Sequence, residues 1–466
     1  MNKFKLTGGT EAVQVDVCHK VAVLSFPKYD NTACRNVKIH DNTFVNKYRA
    51  VGSHHSVPGS LYDNIDVYNN RMTNIGGIAI NAVYWTNSKI HDNVFEKVGS
   101  GIDFSAFGDH NVYNMKKLSY NAIESQLKKS STYIYNNDIS VRTSTNTLDF
   151  RFGVRARGAD CTGDNSRNVD VNKGVYHLYN AHLGTDEKGK KAPNTVKGTF
   201  NSGVSLNYAV DSEMKYNSAN LNACDSGSAF GLFVHGCDNV LVAENTVKTT
   251  NSETRNQRSG ATIRASENTE FRDNKISVTD YGVQLIYGST GTYIHDNKIE
   301  SDRLNCVYQS GKEDPTPNVK KKITILNNEL ISGDNYKNDA AINIILGNMD
   351  VFARDNGEIL CNLQGSLNTR STTIFCDYIV DALLAEKDPS DPSTVHLTWD
   401  EPDDYSGFEI YVEKNGEDVL IDNIKEYEYT AVNAEPDTIF KVVPYVTNTK
   451  ETLYGKSATA VYGTPE

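Results

Sequence analysis

The sequence predicts an all-β chain, a solenoid of stacked parallel coils (a parallel β-helix) followed by a small β-sandwich. Three observations predict it. A short asparagine-containing motif recurs through most of the 466 residues. Between its copies lie short alternating apolar runs, many opened by glycine, of the kind that form strands with alternate residues inward. After a stretch rich in proline and charge, the repeat gives way to closely spaced strands without it.

The motif is an apolar residue, three or four mixed residues, Asn, one residue and a second apolar residue. It reads VKIHDNTF, IDVYNNRM, KIHDNVF, YIYNNDI, VLVAENTV, EFRDNKI, YIHDNKI and ITILNNEL. Its asparagines are Asn42, Asn70, Asn93, Asn137, Asn245, Asn274, Asn297 and Asn328. Most spacings fall between 23 and 31 residues, a period that signals a stacked repeat. A leucine-rich repeat would demand a leucine lattice, which is missing. The 44-residue gap before Asn137 leaves room for a weaker copy near Asn114. The 108-residue gap before Asn245 leaves room for about four, including one at Asn217, and a late copy falls at Asn356. An Asn at the same corner of every coil can stack into a hydrogen-bonded ladder. His40, His91 and His295 share one repeat position and read as a feature of the repeat.

The glycine-opened runs are GIAINAV, GIDFSAF, GVSLNYA, GATIRA and GVQLIY. On this pattern the chain resembles the right-handed parallel β-helix (pectate-lyase-like) superfamily over roughly residues 30–362. That superfamily includes polysaccharide lyases, glycoside hydrolases, uronan epimerases, phage tailspikes and adhesins. The resemblance therefore implies a fold and a glycan partner, with the reaction left open.

Residues 1–384 are assigned to the β-helix, with about 10–12 coils and a C-terminal cap from residues 363–384. The first residues, MNKFKLTGGTEAVQVDV, lack the apolar stretch of a secretory signal. They read as strands rather than as a capping helix, so an upstream domain or a second subunit is expected to cover that end. Residues 385–393, AEKDPSDPS, read as a linker. About seven short strands then fill residues 394–466, which suits a β-sandwich. The strand of Trp399, the aromatic strand around Tyr411 and the run through Thr438, Phe440 and Val442 resemble a fibronectin type III module. Phe440 stands where that family usually has Tyr. Such modules are common on secreted bacterial carbohydrate-active enzymes, which implies an extracellular or cell-surface location.

Composition narrows the partners. Lys and Arg number 47 against 59 Asp and Glu, a net charge of −12. That disfavours nucleic acid, which needs clustered cations. No apolar run reaches the ~18 residues of a membrane span. Eight cysteines occur with no CxxC, so structural zinc is disfavoured, and buried small side chains are the expectation.

Candidate chemistry is sought on the outward strand positions. Alternation points Ile102 and Phe104 inward and Asp103 outward, and the same reading turns Glu124 and Asp149 outward. The three acids are expected to form one column over successive coils, about 5 Å apart. Carboxylates that close raise at least one pKa, and a glycoside hydrolase uses such a pair as acid and as nucleophile or base. Adjacent coils suit a retaining enzyme and alternate coils an inverting one. Arg151, Asn207, His235, Arg264 and Gln284 are the expected substrate-binding residues on the same face. Asp273 and Asp280 form a lower-ranked acid pair. The loop GTDEKGKKAPN, 184–194, is expected to border the cleft.

The leading expectation is thus a hydrolase of a complex or host-type glycan, with the two-part lacto-N-biosidase type as a fold-level analogy. A calcium-dependent polysaccharide lyase, in which the acids bind Ca²⁺, and a non-catalytic glycan-binding adhesin are the alternatives.

Overall fold

The computed structural model describes residues 11–15, 34–53, 62–105, 125–142, 151–160, 175–222, 229–249, 258–286, 289–309, 321–332, 340–344, 349–354, 356, 360–362, 373–375, 383–399, 406–414, 416–447, 452–454 and 457–462.

The chain winds into a parallel β-helix of three long sheets. The first sheet has 12 strands, the second 10 and the third 14. One coil illustrates the path. Tyr62–Tyr68 lies in the third sheet, Arg71–Thr73 in the second and Ile78–Val83 in the first. Each strand pairs in parallel with its counterparts one coil before and one coil after. Ile78–Val83, for example, sits between Arg49–Gly52 and Ser100–Ser105. Alternate residues of all three sheets fill a continuous core that includes Ile65, Val67, Met72, Ile80, Ile102, Phe104, Ile134, Val154, Phe271 and Ile299.

The corner between the third and second sheets is built by asparagine. Nδ2 of each ladder asparagine donates to Oδ1 of the next, from Asn42 to Asn70, Asn93, Asn137, Asn194, Asn217, Asn245, Asn274, Asn297, Asn328 and Asn356. The same Nδ2 also donates to backbone carbonyls, as Asn245 does to Met214 and Ala243. The residue just before the ladder is left-handed at most coils, with φ 53° at Asn69, 54° at Asp92, 53° at Asp273 and 54° at Asp296. Asn and Asp tolerate that conformation better than other side chains, which explains the D-N and N-N pairs of the motif.

Two gaps in the motif differ from expectation. Asn93 donates directly to Asn137 at 3.0 Å, so no coil intervenes near Asn114, and the 44 residues are one coil with an excursion. Between Asn137 and Asn245 lie two ladder members, Asn194 and Asn217, rather than about four. Asn194 is hidden at the end of a lysine-rich loop and lacks the motif.

The opening glycines lie where the second sheet turns into the first. A Cβ on Gly231 would sit 2.2 Å from Val247 Cγ1, and one on Gly260 would sit 2.1 Å from Ile276 Cγ2. Side chains of the second sheet therefore occupy the space in which a residue larger than glycine would stand.

Small antiparallel sheets follow at the C-terminus. One holds Leu384–Lys387, Val395–Thr398 and Glu428–Ala431. The other holds Gly407–Lys414, Glu417–Ile424, Ile439–Thr447, Thr452–Tyr454 and Ala458–Val461. Their own core contains Leu397, Trp399, Phe408, Ile410, Phe440 and Val442. The stretch read as a linker starts inside a strand, because Leu384–Lys387 pairs with Val395–Thr398. The turn between them is shaped by Asp388 and Asp391, which accept hydrogen bonds from the Ser390 and Ser393 amides. Proline and charge here mark a hairpin connection. Phe440 is buried, and Tyr462 supplies a hydroxyl tether instead, donating to the Pro392 carbonyl at 2.7 Å.

Candidate functional site

The outward face of the first sheet carries the polar chemistry. Its register defines two columns of side chains, with rungs about 4.8 Å apart. One column runs Asn81, Asp103, Arg155, Ser205, Phe233, Thr262, Gln284 and Tyr308. The other runs Ser105, Arg157, Asn207, His235 and Arg264.

Asp103 is therefore flanked by Asn81 on the coil before and Arg155 on the coil after, the coil on which Glu124 was expected. Glu124 and Asp149 lie outside the described residues. The strand of the next coil is Phe152–Arg157, six residues further along the chain than the Asp149 alignment assumed. Both alignments have the same parity, so alternation cannot tell them apart.

Asp103 is held on both carboxylate oxygens. Arg155 donates from Nε and Nη2 at 3.0 and 2.8 Å, and Arg157 does the same at 3.0 and 3.0 Å. The Asp103 side chain is 1% exposed. Burial pushes its carboxyl up, but the Coulombic pull of both guanidiniums and their hydrogen bonds outweigh it and hold the group well below the usual carboxylate range. Asp103 is thus a permanently ionised anchor for two arginines. It cannot keep a proton to donate to a leaving group.

Arg151 precedes the strand and does not join the columns. Its Nη1 donates to the Arg142 carbonyl at 2.8 Å, and its backbone NH donates to Asn201 Oδ1. Asn207, His235, Arg264 and Gln284 do lie on the expected face. Gln284 Oε1 accepts from the Ser259 hydroxyl at 3.2 Å. Asn207 Oδ1, His235 Nε2 and Thr262 Oγ1 are buried atoms without a hydrogen-bond partner among the described residues. Enclosed polar atoms are rarely left so unless something else binds them. His235 is kept neutral, its pKa pulled down to about 3 by burial first and then by the charge of Arg264. In these columns three arginines face one carboxylate, so the described face is cationic although the whole chain is acidic. Sequence reasoning weighed Arg155 only as a basic residue available to a lyase and missed Arg157. The signal was present in FGVRAR, where both arginines share the outward parity.

Residues 106–131 and 158–177 follow first-sheet strands, and residues 142–151 and 250–257 precede them. Insertions on a rigid scaffold are where binding surfaces are commonly built. The loop 184–194 does not border this face. It folds onto the third sheet, where Glu187 accepts from Lys89 Nζ at 2.7 Å and from the Tyr135 hydroxyl at 3.0 Å.

The alternative acid pair separates. Asp273 is the left-handed turn residue before Asn274 and pairs with Arg272 at 2.6 Å. Asp280 is buried and pairs with Arg303. The strand Lys275–Val278 lies between them, and seven extended residues span roughly 20 Å. Among the described residues no group of three or more His, Cys, Asp or Glu side chains could hold a metal ion. The calcium reading therefore gains no ligand set from them. Cys237 is buried and its thiol is pushed up to about 12, chiefly by burial. Its sulfur accepts from the Ala209 amide, as Ser212 Oγ accepts from the Ala181 amide one coil earlier. No helix among the described residues is long and apolar enough to cross a membrane.

Residues 142–341 match the family model described as periplasmic copper-binding protein (NosD). That segment covers less than half of the chain. No curated protein matches the sequence. Among solved structures, the chain is similar to XylC in complex with xylose, at 12% identity and a TM-score of 0.35, over 89% of this chain and 68% of that one. It is also similar to the enzymatically active domain of bacteriophage CBA120 tailspike protein 2, at 9% identity and a TM-score of 0.29, over 90% and 66%.

Proposed function

We propose that the chain is an extracytoplasmic carbohydrate-active β-helix protein whose first-sheet face engages an acidic glycan and cleaves it by elimination. The observation that carries this reading is the His235–Arg264 rung, a neutral histidine with an unpartnered Nε2 directly in register with a cation. Hydrolysis would need a carboxyl group that retains its proton, and Asp103 is locked as a carboxylate. A hydrolase would then depend on Glu124 and Asp149. Elimination from a uronate asks for different groups. Arg264 neutralises the sugar carboxylate, which makes the neighbouring C5 proton more acidic. His235 takes that proton, the electron pair forms the C4–C5 double bond, and the C4–O glycosidic bond breaks, its oxygen taking the proton from the His235 imidazolium. Bringing a carboxylate beside His235 raises the basicity of the imidazole, so the base is strengthened by the substrate it acts on. Asn207 and Thr262 supply acceptors for sugar hydroxyls. The C-terminal sheets, of three and five antiparallel strands with one apolar core between them, suit the fibronectin type III-like reading and would serve as an appended module.

The test incubates the full chain with polygalacturonate, alginate, hyaluronan and heparosan and follows ultraviolet absorbance of the unsaturated product. Absorbance that rises with the parent protein, and falls at least 100-fold in His235→Gln and Arg264→Ala with the fold retained, supports elimination. New reducing ends without absorbance would establish hydrolysis instead.

A further inference from the structure

The third sheet carries a polar cavity, on the coils that hold His235 and Arg264 but on a different sheet from them. Its volume is 310 Å³, and Asp211, Glu213, Asn239, Leu241, Asn268 and Glu270 are among its lining residues. The register explains its shape. Glu213, Leu241 and Glu270 occupy one column on three successive coils, and Lys215, Ala243 and Arg272 occupy the next. The middle coil therefore contributes two short apolar side chains, while the coils on either side contribute long charged ones. The result is a slot one rung wide, with Val240 and Leu241 of the middle coil in its lining. Its walls stand two rung spacings apart, about 9.6 Å between backbones.

Each wall carboxylate already has a partner. Glu213 accepts from Thr185 Oγ1 at 2.6 Å and contacts His182 Nδ1 at 3.1 Å, with Lys215 Nζ 3.9 Å away. Glu270 pairs with Arg272 at 2.9 Å and with His295 at 3.3 Å. Asp211 accepts from the Asn239 side-chain amide at 2.6 Å. Binding a charged ligand would break these pairs at a cost in desolvation. A neutral polyol can add hydrogen bonds to the same carboxylates and amides without disturbing them, because each carboxylate oxygen accepts more than one. Apolar lining between polar walls is the usual form of a small-ligand site.

We infer that this slot is a second carbohydrate-binding subsite, selective for neutral hexose units, separate from the first-sheet face and independent of its reaction.

The experiment titrates the full chain calorimetrically with cellohexaose, maltohexaose and mannohexaose. The same titration is repeated with hexagalacturonate present and with two variants. Leu241→Arg fills the slot from a half-exposed position, and Glu270→Gln is an isosteric change at an exposed side chain. The inference expects at least one neutral hexaose to bind, with affinity reduced tenfold or more by Leu241→Arg and about fivefold by Glu270→Gln, and unaffected by hexagalacturonate. Should Leu241→Arg lose its native melting transition, Glu270→Gln decides. Absence of binding by all three neutral probes, unchanged affinity in the folded variants, or full competition by hexagalacturonate would overturn it. The last result would mean one shared groove on the first sheet. An elimination assay that fails while the hexaose still binds would sink the proposed reaction and leave this subsite standing.

Discussion

Arg155 reaches across one rung to Asp103 and meets both of its oxygens, at 3.0 and 2.8 Å. Arg157 repeats the contact from two residues further on. One buried carboxylate thus sets the direction of two guanidiniums on the first-sheet face. Replacing it with Asn removes the buried charge that both guanidiniums share. Asp103→Asn is expected to destabilise the fold by about 3 kcal/mol, the usual cost of breaking one side of a buried ion pair. Urea unfolding checks it, and a loss below about 1 kcal/mol would mean that the arginines find water or other acceptors.

The asparagine ladder makes a graded expectation. Asn245 is fully buried, its Nδ2 serves two carbonyls and Asn274, and its Oδ1 accepts from both nitrogens of Asn217. Asn245→Ala strands several buried groups, each costing about 1–3 kcal/mol, so a loss of at least ~3 kcal/mol is expected. Asn42 sits exposed at the end of the ladder, and Asn42→Ala is expected to cost less than about 1 kcal/mol. Equal losses at the two positions would contradict a ladder whose value depends on burial.

His235 adds a pH signature. Its pKa in the folded chain is about 3, against an ordinary value of 6.5. Between those values the unfolded chain binds the proton and the folded one does not, so stability rises with pH. The contribution is complete above pH 6.5 and is lost as pH falls from there towards 3. Thermal melts across this window should show a shallower decline for His235→Gln than for the parent. Parallel curves would mean that the imidazole is protonated in the fold.

Glycine at the opening of the first-sheet strands is a matter of space. Gly231→Ala would drive a methyl group to within 2.2 Å of Val247 and 2.7 Å of the Gly260 carbonyl. Overpacking of this kind costs typically 1–3 kcal/mol. A melting temperature unchanged in Gly231→Ala would show that the two sheets can separate there.

The fold was legible because its parts are periodic. Asn at one corner and Gly at another recur with a spacing that only stacked coils explain, and eight of the eleven ladder asparagines carry the full motif. Asn194 escaped because ten loop residues, 184–193, separate it from its strand, so spacing was lost where the chain leaves the coil. The same cause misplaced the site. Alternation correctly turned Asp103, Asn207, His235 and Arg264 outward, but a period of two fixes the face and not the register. The coil after Asp103 therefore presents Arg155 where Glu124 was expected, with Asp149 expected one coil further on. Of the three carboxylates expected in one column, the described rungs hold Asp103, with Arg155 beside it and Arg157 in the neighbouring column. No local feature of the sequence corrects that, because register is decided by hydrogen bonds to the neighbouring coil.

The central claim is that this cationic face receives an acidic sugar. A crystal structure of the chain with a trimeric uronate tests it most directly. The account predicts a sugar carboxylate within salt-bridge distance of Arg264 or Arg157, with hydroxyls on Asn207 Oδ1 and Thr262 Oγ1. Electron density for the trimer on another sheet, with those atoms still unpartnered, would contradict it.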